Sequence, residues 1–187
     1  MDRVCVFIDG SNFYFALKRN NRVTRVDYHQ LSLALVGPDR QLVRTYYYNV
    51  AYDKNLFPDK AKSQMAFLDS LDRTPYLELR LGRLFPAADG GVQERGVDVL
   101  MAADLVYYAA RTAFDTAIVV TEDGDFCPPL ENVKSLGRHV EIATFLDSQS
   151  RDLIRVADLY VPLDTVVDKY ASKIFPSDSG ENRGNTA

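Results

Sequence analysis

Two short runs of apolar residues, unbroken by polar ones, stand out in this chain of 187 residues. They are Val4–Ile8 and Ala117–Val120, and both are rich in β-branched side chains. A strand with one face in water alternates apolar and polar residues, whereas a strand covered on both faces is apolar throughout. The two runs therefore predict central strands of a parallel sheet that carries helices on both faces.

The rest of the chain alternates strand and helix patterns. Further strands are predicted over 41–50, 76–85, 139–145 and 159–163. Helices are predicted over 13–18, 28–36, 59–73, 97–111, 130–136, 148–157 and 164–174. The segment 86–95, which contains two adjacent glycines, is predicted to be a flexible loop. This alternation is typical of α/β proteins and predicts one domain over 1–174, followed by a polar, disordered tail over 175–187.

Composition limits the classes of partner. No run approaches the roughly 20 apolar residues of a membrane span, so no membrane partner is expected. A net charge of −4 disfavours a protein that coats nucleic acid by bulk electrostatics, although the first fifty residues carry seven Lys and Arg against four Asp. Met1 leads directly into a strand pattern without a basic leader, which favours a cytoplasmic protein.

Acidic side chains follow both central strands. Asp9 ends the first run, Asp123 and Asp125 follow the second, and Asp98 opens the helix that leads into it. Open α/β sheets bind ligands at the carboxyl ends of their strands, and Asn12 can point to this edge from the first helical turn. A cluster of carboxylates without a Lys or Arg in the same motifs suits a hard divalent ion, Mg²⁺ or Mn²⁺.

Each acid also has a simpler explanation. An Asp at a strand end is commonly a helix cap, and Asp9 and Asp98 both hold cap-like positions. Ser11 or Asn12 can also cap the first helix. Asp123 precedes a glycine, as in many turns. Separate caps explain the residues one at a time but not their joint arrangement, so the metal-site interpretation is favoured.

Neighbouring polar residues are weaker candidates for the site. Asp104 lies six residues after Asp98 on the same predicted helix, about 240° around its axis, so the two cannot share one narrow face. The hydroxyls of Ser11 and Thr121 stand beside the acids and are secondary candidates with Asp104. Cys127 has no evident base nearby in the sequence, so no nucleophilic role is expected.

Taken together, these motifs resemble the NYN domain family, a branch of the PIN-like nucleases that includes the LabA-like bacterial proteins. The matching segments keep the order and spacing of the family over roughly residues 3–162. They are 6–12, 95–99 with Asp104, 117–126 and 136–140. No single segment is specific, but the combination is.

The resemblance implies a Rossmann-like three-layer sandwich with a central parallel sheet of five or six strands. It also implies a ribonuclease that depends on Mg²⁺ or Mn²⁺. Carried over position by position, Asp9, Asp98, Asp123 and Asp125 are catalytic metal ligands, and Asn12 orients one of them or contacts a phosphate. The implied reaction is in-line attack of metal-activated water on an RNA phosphodiester, which leaves a 5′-phosphate.

The chain departs from the family pattern at two places. Arg95 stands where the family often has Lys, which keeps the positive charge. Thr121 and Glu122 stand where the family usually has Ser-Gly before the first Asp of the last motif. Thr121 keeps the hydroxyl, whereas Glu122 adds a carboxylate and removes a flexible residue. That second change bears on turnover more than on metal binding.

RNA contacts are predicted from charge and from aromatic residues. Cations in or near the loops that flank the acids are candidate RNA-phosphate contacts, namely Lys18, Arg22, Lys54, Arg83 and Arg95. The run Tyr46–Tyr48 alternates faces, so its side chains belong either to the core or to a base-stacking surface.

Two other functions compete with a ribonuclease. The first is a catalytically weak or inactive NYN-fold protein that binds RNA or regulates, which the acidic net charge favours. A phosphatase of the haloacid-dehalogenase type is rejected because it needs a second Asp two residues after Asp9, where Ser11 stands. No companion RNA-binding domain fits in this length, so specificity is expected from this domain, a homodimer or a protein partner.

Overall fold

A computed structural model describes residues 1–86, 92–148 and 150–175, and within these ranges one mixed sheet forms the central layer. Its order is β4-β3-β2-β1-β5-β6-β7, with β4 antiparallel to β3 and all other neighbours parallel. The strands are β1 (Arg3–Asp9), β2 (Gln41–Ala51), β3 (Leu77–Pro86), β4 (Val92–Arg95), β5 (Thr116–Val120), β6 (His139–Thr144) and β7 (Leu159–Pro162).

Helices cover both faces of this sheet. They are α1 (Gly10–Arg19), α2 (Tyr28–Val36), α3 (Pro58–Asp72), α4 (Val97–Ala110), α5 (Cys127–Ser135), α6 (Arg151–Val156), α7 (Leu163–Lys169) and α8 (Ala171–Ile174). Helices α1, α2, α7 and α8 contribute to the core on one face, together with the end of α3, and α4, α5 and α6 to the core on the other. The α/β three-layer prediction is confirmed, with six parallel strands.

The continuous apolar runs follow from this arrangement. Along β1, Val4, Val6 and Ile8 belong to the core on the α1 side, and Cys5 and Phe7 to the core on the α4 side. All five side chains are fully buried. Burying a side chain of this size stabilises the fold by roughly 1.5–3 kcal/mol. The run is apolar throughout because each face of the strand meets a helix layer.

Strand β4 was not predicted. Part of the segment assigned to a flexible loop, 86–95, forms the strand Val92–Arg95, so that prediction is wrong there. The strand pairs with β3 in antiparallel register, from Pro86 opposite Val92 to Arg83 opposite Arg95. The two adjacent glycines of that segment lie outside the described residues.

Other differences concern the ends of elements. Helix α5 begins at Cys127 rather than 130 because its prolines fit the first helical turn. Helix α6 spans only Arg151–Val156, where 148–157 was predicted, and the predicted helix 164–174 divides at Tyr170 into α7 and α8. Apart from Phe175, the predicted tail 175–187 lies outside the described residues. Across the described ranges, every helix is too short or too polar to cross a membrane.

Candidate active site

Asp9 is the buried acid of the site. It ends β1, and its Oδ1 accepts a hydrogen bond from the Asn12 N–H at 3.1 Å, so Asp9 is the N-cap of α1. Of the caps that the sequence left open for this helix, the structure has Asp9 and not Ser11 or Asn12. Burial raises the pKa of Asp9 to about 6, and the charges of Asp98 and Asp123 add to that rise. Asp9 is thus both a cap and a member of an acidic group.

The turn after β5 is tied to Asp9 by hydrogen bonds. Thr121 Oγ1 donates to Asp9 Oδ2 at 3.4 Å and accepts from the Asp123 N–H at 3.2 Å. Asp123 Oδ1 accepts from the Asp125 N–H at 2.9 Å, at the start of a short 3₁₀ turn over Gly124–Phe126. These bonds fix the backbone that carries Asp123 and Asp125 against the end of β1.

Asn12 links the same two segments from the other side. Its Oδ1 accepts a hydrogen bond from the Glu122 N–H at 3.1 Å, while its own N–H is bonded to Asp9. The amide oxygen of Asn12 is therefore engaged with protein backbone. Asn12 thus joins the start of α1 to the turn that carries Asp123 and Asp125.

Asp98 completes the acidic group. It lies in the first turn of α4 and is exposed, after Gly96, which has a positive φ of 86°. Burial raises the pKa of Asp98, and the neighbouring charges of Asp123 and Asp125 raise it further. A charge raises the pKa of a neighbouring carboxyl in this way only over a short distance. The structure thus brings the four predicted acids to one edge of the sheet.

No cation neutralises this acidic group within the described part of the chain. There, no Lys or Arg forms a salt bridge with Asp9, Asp98, Asp123 or Asp125. Nor are any three His, Cys, Asp or Glu side chains of the described ranges arranged so that they hold a metal ion. A group of carboxylates that repel one another has the donor chemistry of a hard divalent ion, although its side chains do not form a closed set of ligands.

Glu122 is engaged elsewhere. Each of its two carboxylate oxygens accepts a hydrogen bond from Arg19 Nη2, at 2.8 and 2.6 Å. Arg19 Nε also donates to Asp147 at 3.2 Å, so this one arginine joins the β5 turn to the segment after β6. The extra carboxylate noted in the sequence is therefore bound to a cation of α1.

Two secondary candidates make their bonds away from the four acids. Asp104 accepts a hydrogen bond from the Tyr48 hydroxyl at 3.0 Å and lies 3.4 Å from Arg80 Nε. Ser11 Oγ has its bond to Asn49 Oδ1, at 3.5 Å. Of the secondary candidates, only Thr121 is hydrogen-bonded to one of the acids.

The predicted RNA-phosphate contacts are dispersed. Arg22 forms a salt bridge with Asp168 at 2.5 Å, and Lys18 lies over the Tyr14 ring, 4.6 Å from its centre. Lys54 is exposed in the turn between β2 and α3. Exposed Arg83 lies on β3, and Arg95 is opposite it on β4.

Cys127 is the first residue of α5, directly after the 3₁₀ turn that carries Asp125. Burial raises the pKa of its thiol, and the carboxylates of Asp152 and Glu131 raise it further, which disfavours the reactive thiolate.

Sequence reasoning missed a cleft beside Asp9. It has a volume of about 880 Å³ and is lined by residues of α1, α2, β2 and α3, including Gly10 and Ser11, which follow Asp9 directly. A signal was present in the tyrosine run. Tyr46–Tyr48 are buried core residues, and Tyr47 also contributes to the wall of the cleft.

The sheet order and the acidic edge define a three-layer α/β domain with a group of acids at one edge of its sheet. A family model described as the NYN domain matches residues 3–164, and the chain belongs to that family. It is 23% identical over 171 residues to the low amplitude and bright protein LabA of Synechococcus elongatus, a match that covers 88% of this chain and 85% of that protein. The predicted resemblance is confirmed.

A solved structure has the same fold. The crystal structure of a protein of unknown function from Vibrio parahaemolyticus is similar with a TM-score of 0.71 and 22% sequence identity. The match covers 88% of this chain and 94% of that one.

Proposed function

We propose that this chain is a ribonuclease that hydrolyses RNA phosphodiester bonds with the help of Mg²⁺ or Mn²⁺. The observation that carries the proposal is the group of four carboxylates at one edge of the sheet, where neighbouring acids raise the pKa of Asp9 and of Asp98. Among the described residues, no Lys or Arg forms a salt bridge with any of the four. Membership of the NYN family, whose PIN-like relatives are nucleases, agrees with it. A bound divalent ion would activate water for attack and neutralise charge that develops on the phosphate.

The four acids differ in exposure, which suggests different tasks. Asp9 is 7% exposed and held by two hydrogen bonds, so it is suited to be a direct and rigid ligand. Asp98 and Asp125 are exposed and Asp123 is half-buried. Magnesium keeps several waters and needs only one or two carboxylates, so the outer acids can hold waters. This division is compatible with side chains that do not close around an ion.

Residues around the acids position them. Asn12 and Thr121 join the end of β1 to the β5 turn by hydrogen bonds. Arg19 holds Glu122 and so fixes the residue that precedes Asp123. Of the predicted phosphate contacts, exposed Lys54 and Arg83 are the best suited to meet an RNA strand, because Arg22 is already paired with Asp168.

The test is cleavage of labelled single-stranded RNA with Mn²⁺, compared with the same reaction in EDTA. Wild-type protein is expected to yield products with 5′-phosphate ends, and the double variant Asp9→Asn/Asp123→Asn none. The matched control Asp39→Asn/Asp69→Asn removes two exposed carboxylates elsewhere and is expected to cleave like wild type. Equal and negligible cleavage by wild type and the site variant would overturn the proposal.

The second candidate function is an RNA-binding or regulatory protein with little activity. The observation that favours it is that no three possible ligands in the described ranges are arranged around a common ion position. It predicts RNA binding that is unchanged by Mn²⁺ and by the site variant. The same reaction series, read by binding as well as cleavage, separates the two functions.

A further inference from the structure

A cleft beside the acids has the size and lining of a ligand site. Its volume of about 880 Å³ lies within the range of roughly 300–1,000 Å³ that is common for small-ligand pockets. Gly10 and Ser11 line it and directly follow Asp9 in the chain. Ser11 Oγ is bonded to Asn49, another lining residue, at the end of β2. The cleft therefore adjoins the edge that holds the acids.

Aromatic rings form the floor and rim of the cleft. Tyr28 and Tyr47 are buried below it, with their hydroxyl oxygens 3.4 Å apart. Phe67 of α3 packs edge-on against both rings at centroid distances of 6.4 and 6.0 Å, yet 36% of it remains exposed. Tyr14 of α1 lines the cleft as well and is 38% exposed. These partly exposed rings offer flat faces on which a planar ligand can stack.

Polar groups among the rings are held in fixed positions. Gln64 Oε1 accepts from the Tyr52 N–H at 2.9 Å, and its Nε2 donates to the Val50 carbonyl at 2.7 Å. Asn49 Oδ1 accepts from the Val50 N–H at 2.8 Å. Each amide nitrogen has two hydrogens, so both side chains retain donor capacity. Fixed amides between aromatic faces are suited to reading the edge of a nucleobase.

Charge distinguishes the cleft from the acidic edge. The carboxylate among its lining residues is Asp27, whose Oδ1 is already used as the N-cap of α2. Arg25 and Arg73 also line the cleft. The Nδ1 atom of lining residue His29 is buried and has no hydrogen-bond partner among the described residues. A heteroaromatic ring with donor and acceptor atoms fits the rings and amides of this lining, and the two arginines suit the phosphates of the chain that carries the ring.

We propose that this cleft binds an unstacked nucleobase of the RNA strand whose phosphate lies at the acids. The proposal rests on the proposed ribonuclease function and adds to it the means of holding the strand. One base seated in the cleft would fix the register of the neighbouring phosphodiester at Asp9. The substrate class is accordingly single-stranded RNA or a loop with an unpaired base, because taking a base out of a duplex costs stacking and pairing energy.

The experiment measures binding without cleavage. A short fluorescein-labelled single-stranded RNA is titrated with protein in EDTA, beside an oligonucleotide of the same length made of abasic ribose-phosphate units. For Tyr14→Ala and Phe67→Ala, affinity for the RNA is expected to fall by roughly 5- to 100-fold, the effect of losing one base–aromatic stack. Affinity for the abasic strand is expected to be unchanged, and Tyr14→Phe, which keeps the ring, to bind like wild type.

The matched control is Tyr107→Ala. Tyr107 is 54% exposed, lies on α4 at the other face of the sheet, and does not line the cleft. Its removal is expected to leave both affinities unchanged. The proposal is overturned if the cleft variants bind RNA like wild type, or if they lose affinity equally for the RNA and the abasic strand.

A second measurement needs no variant. Adenosine 5′-monophosphate is expected to shift the backbone amide resonances of Gly10, Asn49 and Gln64 in wild-type protein, whereas ribose 5-phosphate is not. Shifts with neither probe would contradict a base site. A change of oligomeric mass in Phe67→Ala without any loss of RNA affinity would show instead that a second copy of the chain covers these rings.

Failure here is distinguishable from failure of the ribonuclease. Suppose that wild type does not cleave RNA in Mn²⁺, while base-dependent binding persists in Asp9→Asn/Asp123→Asn. That result would support the base site in the cleft and contradict the ribonuclease. Suppose instead that RNA and the abasic strand are cleaved at the same rate and that the cleft variants change neither rate. That result would support the ribonuclease and contradict the base site in the cleft.

Discussion

The two edges of the sheet carry the same type of side chain in opposite electrostatic states. At the amino ends of the strands, Asp115 accepts bonds from Arg3 at 3.0 and 3.2 Å and from Arg138 at 3.2 Å. These hydrogen bonds and charges lower the pKa of Asp115 to about 2. At the carboxyl ends, burial and the nearby acids raise the pKa of Asp9 to about 6. The same fold thus lowers the pKa of one aspartate and raises the pKa of another.

The difference lies in the arginines. Buried Glu141 also receives a cation at the amino edge, from Arg40 at 2.5 Å. The fold therefore supplies arginines where acids serve structure and, within its described part, none to the four acids of the other edge. Keeping carboxylates together without a counter-charge costs stability, and perturbed acids of this kind concentrate at functional sites. The contrast separates acids that are paired with arginines from the four acids that we propose are catalytic.

The largest expected effect is that of Asp9→Asn. Cleavage is expected to fall at least about 100-fold, as the loss of one charge-stabilising group does in other enzymes. Stability is expected to rise at pH 8. The folded-state pKa of about 6 is above the usual ~3.9, so the native state loses stability as pH rises through 6. Asparagine can still cap α1 and carries no charge, so the variant avoids the cost of ionising a buried carboxyl, about 1–3 kcal/mol.

Urea unfolding of wild type and Asp9→Asn at pH 8 and pH 4 measures this difference. The two proteins are expected to differ at pH 8 and to converge by pH 4, where Asp9 is protonated. A variant that is less stable than wild type at pH 8 would show that the carboxylate is not repelled in the folded state.

The next effect is stabilisation by the ion itself. An ion that binds only the folded protein, at a hundred times its dissociation constant, adds about 2.7 kcal/mol, or roughly 5–10 °C in Tm for a chain of this size. Differential scanning fluorimetry with Mn²⁺ is expected to show this rise in wild type and in the amino-edge variant Asp115→Asn, but not in Asp9→Asn/Asp123→Asn. An identical rise in all three would place the ion elsewhere.

A smaller effect is expected from Glu122→Gly, which restores the residue usual in the family. It removes the partner of Arg19 and frees the backbone before Asp123. Because Arg19 is 46% exposed, the loss of stability is expected to be about 1 kcal/mol, including the entropy of glycine. Turnover is expected to fall several-fold at unchanged KM for RNA. Faster turnover would show that Arg19 restrains the turn to the detriment of catalysis.

The smallest effect is that of Asp115→Asn on stability. Its side chain is 36% exposed, so solvent screens the pair with Arg3 and the loss at pH 7 is expected to be less than about 1 kcal/mol. The pKa of about 2 is below the usual ~3.9, so the contribution is present above pH ~4 and vanishes as pH falls through 2. Urea unfolding at pH 7 and pH 2 measures it. The change in stability at pH 7 is expected to be opposite in sign to the change caused by Asp9→Asn. Changes of the same sign would contradict the contrast between the two edges.

Local pattern was enough to predict the central strands and the edge of the sheet at which Asp9 and Asp123 lie. The continuous runs in β1 and β5 have few alternative interpretations, and the topology of a parallel sheet then places Asp9 and the turn with Asp123 at one edge. Strand β4 was missed because four residues beside a glycine pair are too few to show a hydrophobic periodicity. Their pairing with β3 is a tertiary contact, which local pattern does not reveal.

Long-range partners were beyond sequence reasoning. Arg19 and Glu122 are 103 positions apart, and Arg22 and Asp168 are 146 apart, so charge and loop position alone could not show which cation was already paired. The helical angle separated Asp104 from Asp98 correctly, but its bond to Tyr48 depends on how β2 packs against α4. The cleft was missed because its walls come from four separate elements.

Gly10 links the buried acid to the cleft. A Cβ placed there would lie 2.4 Å from the Tyr47 ring and 2.6 Å from the Tyr48 carbonyl oxygen, so α1 can start directly after Asp9 only if position 10 has no side chain. Any side chain at position 10 would clash with β2 and displace the start of α1. In the proposal that the cleft binds a base, changes at its rim, at Tyr14 or Phe67, would alter the preference for substrate without changing the distance between Asp9 and the cleft.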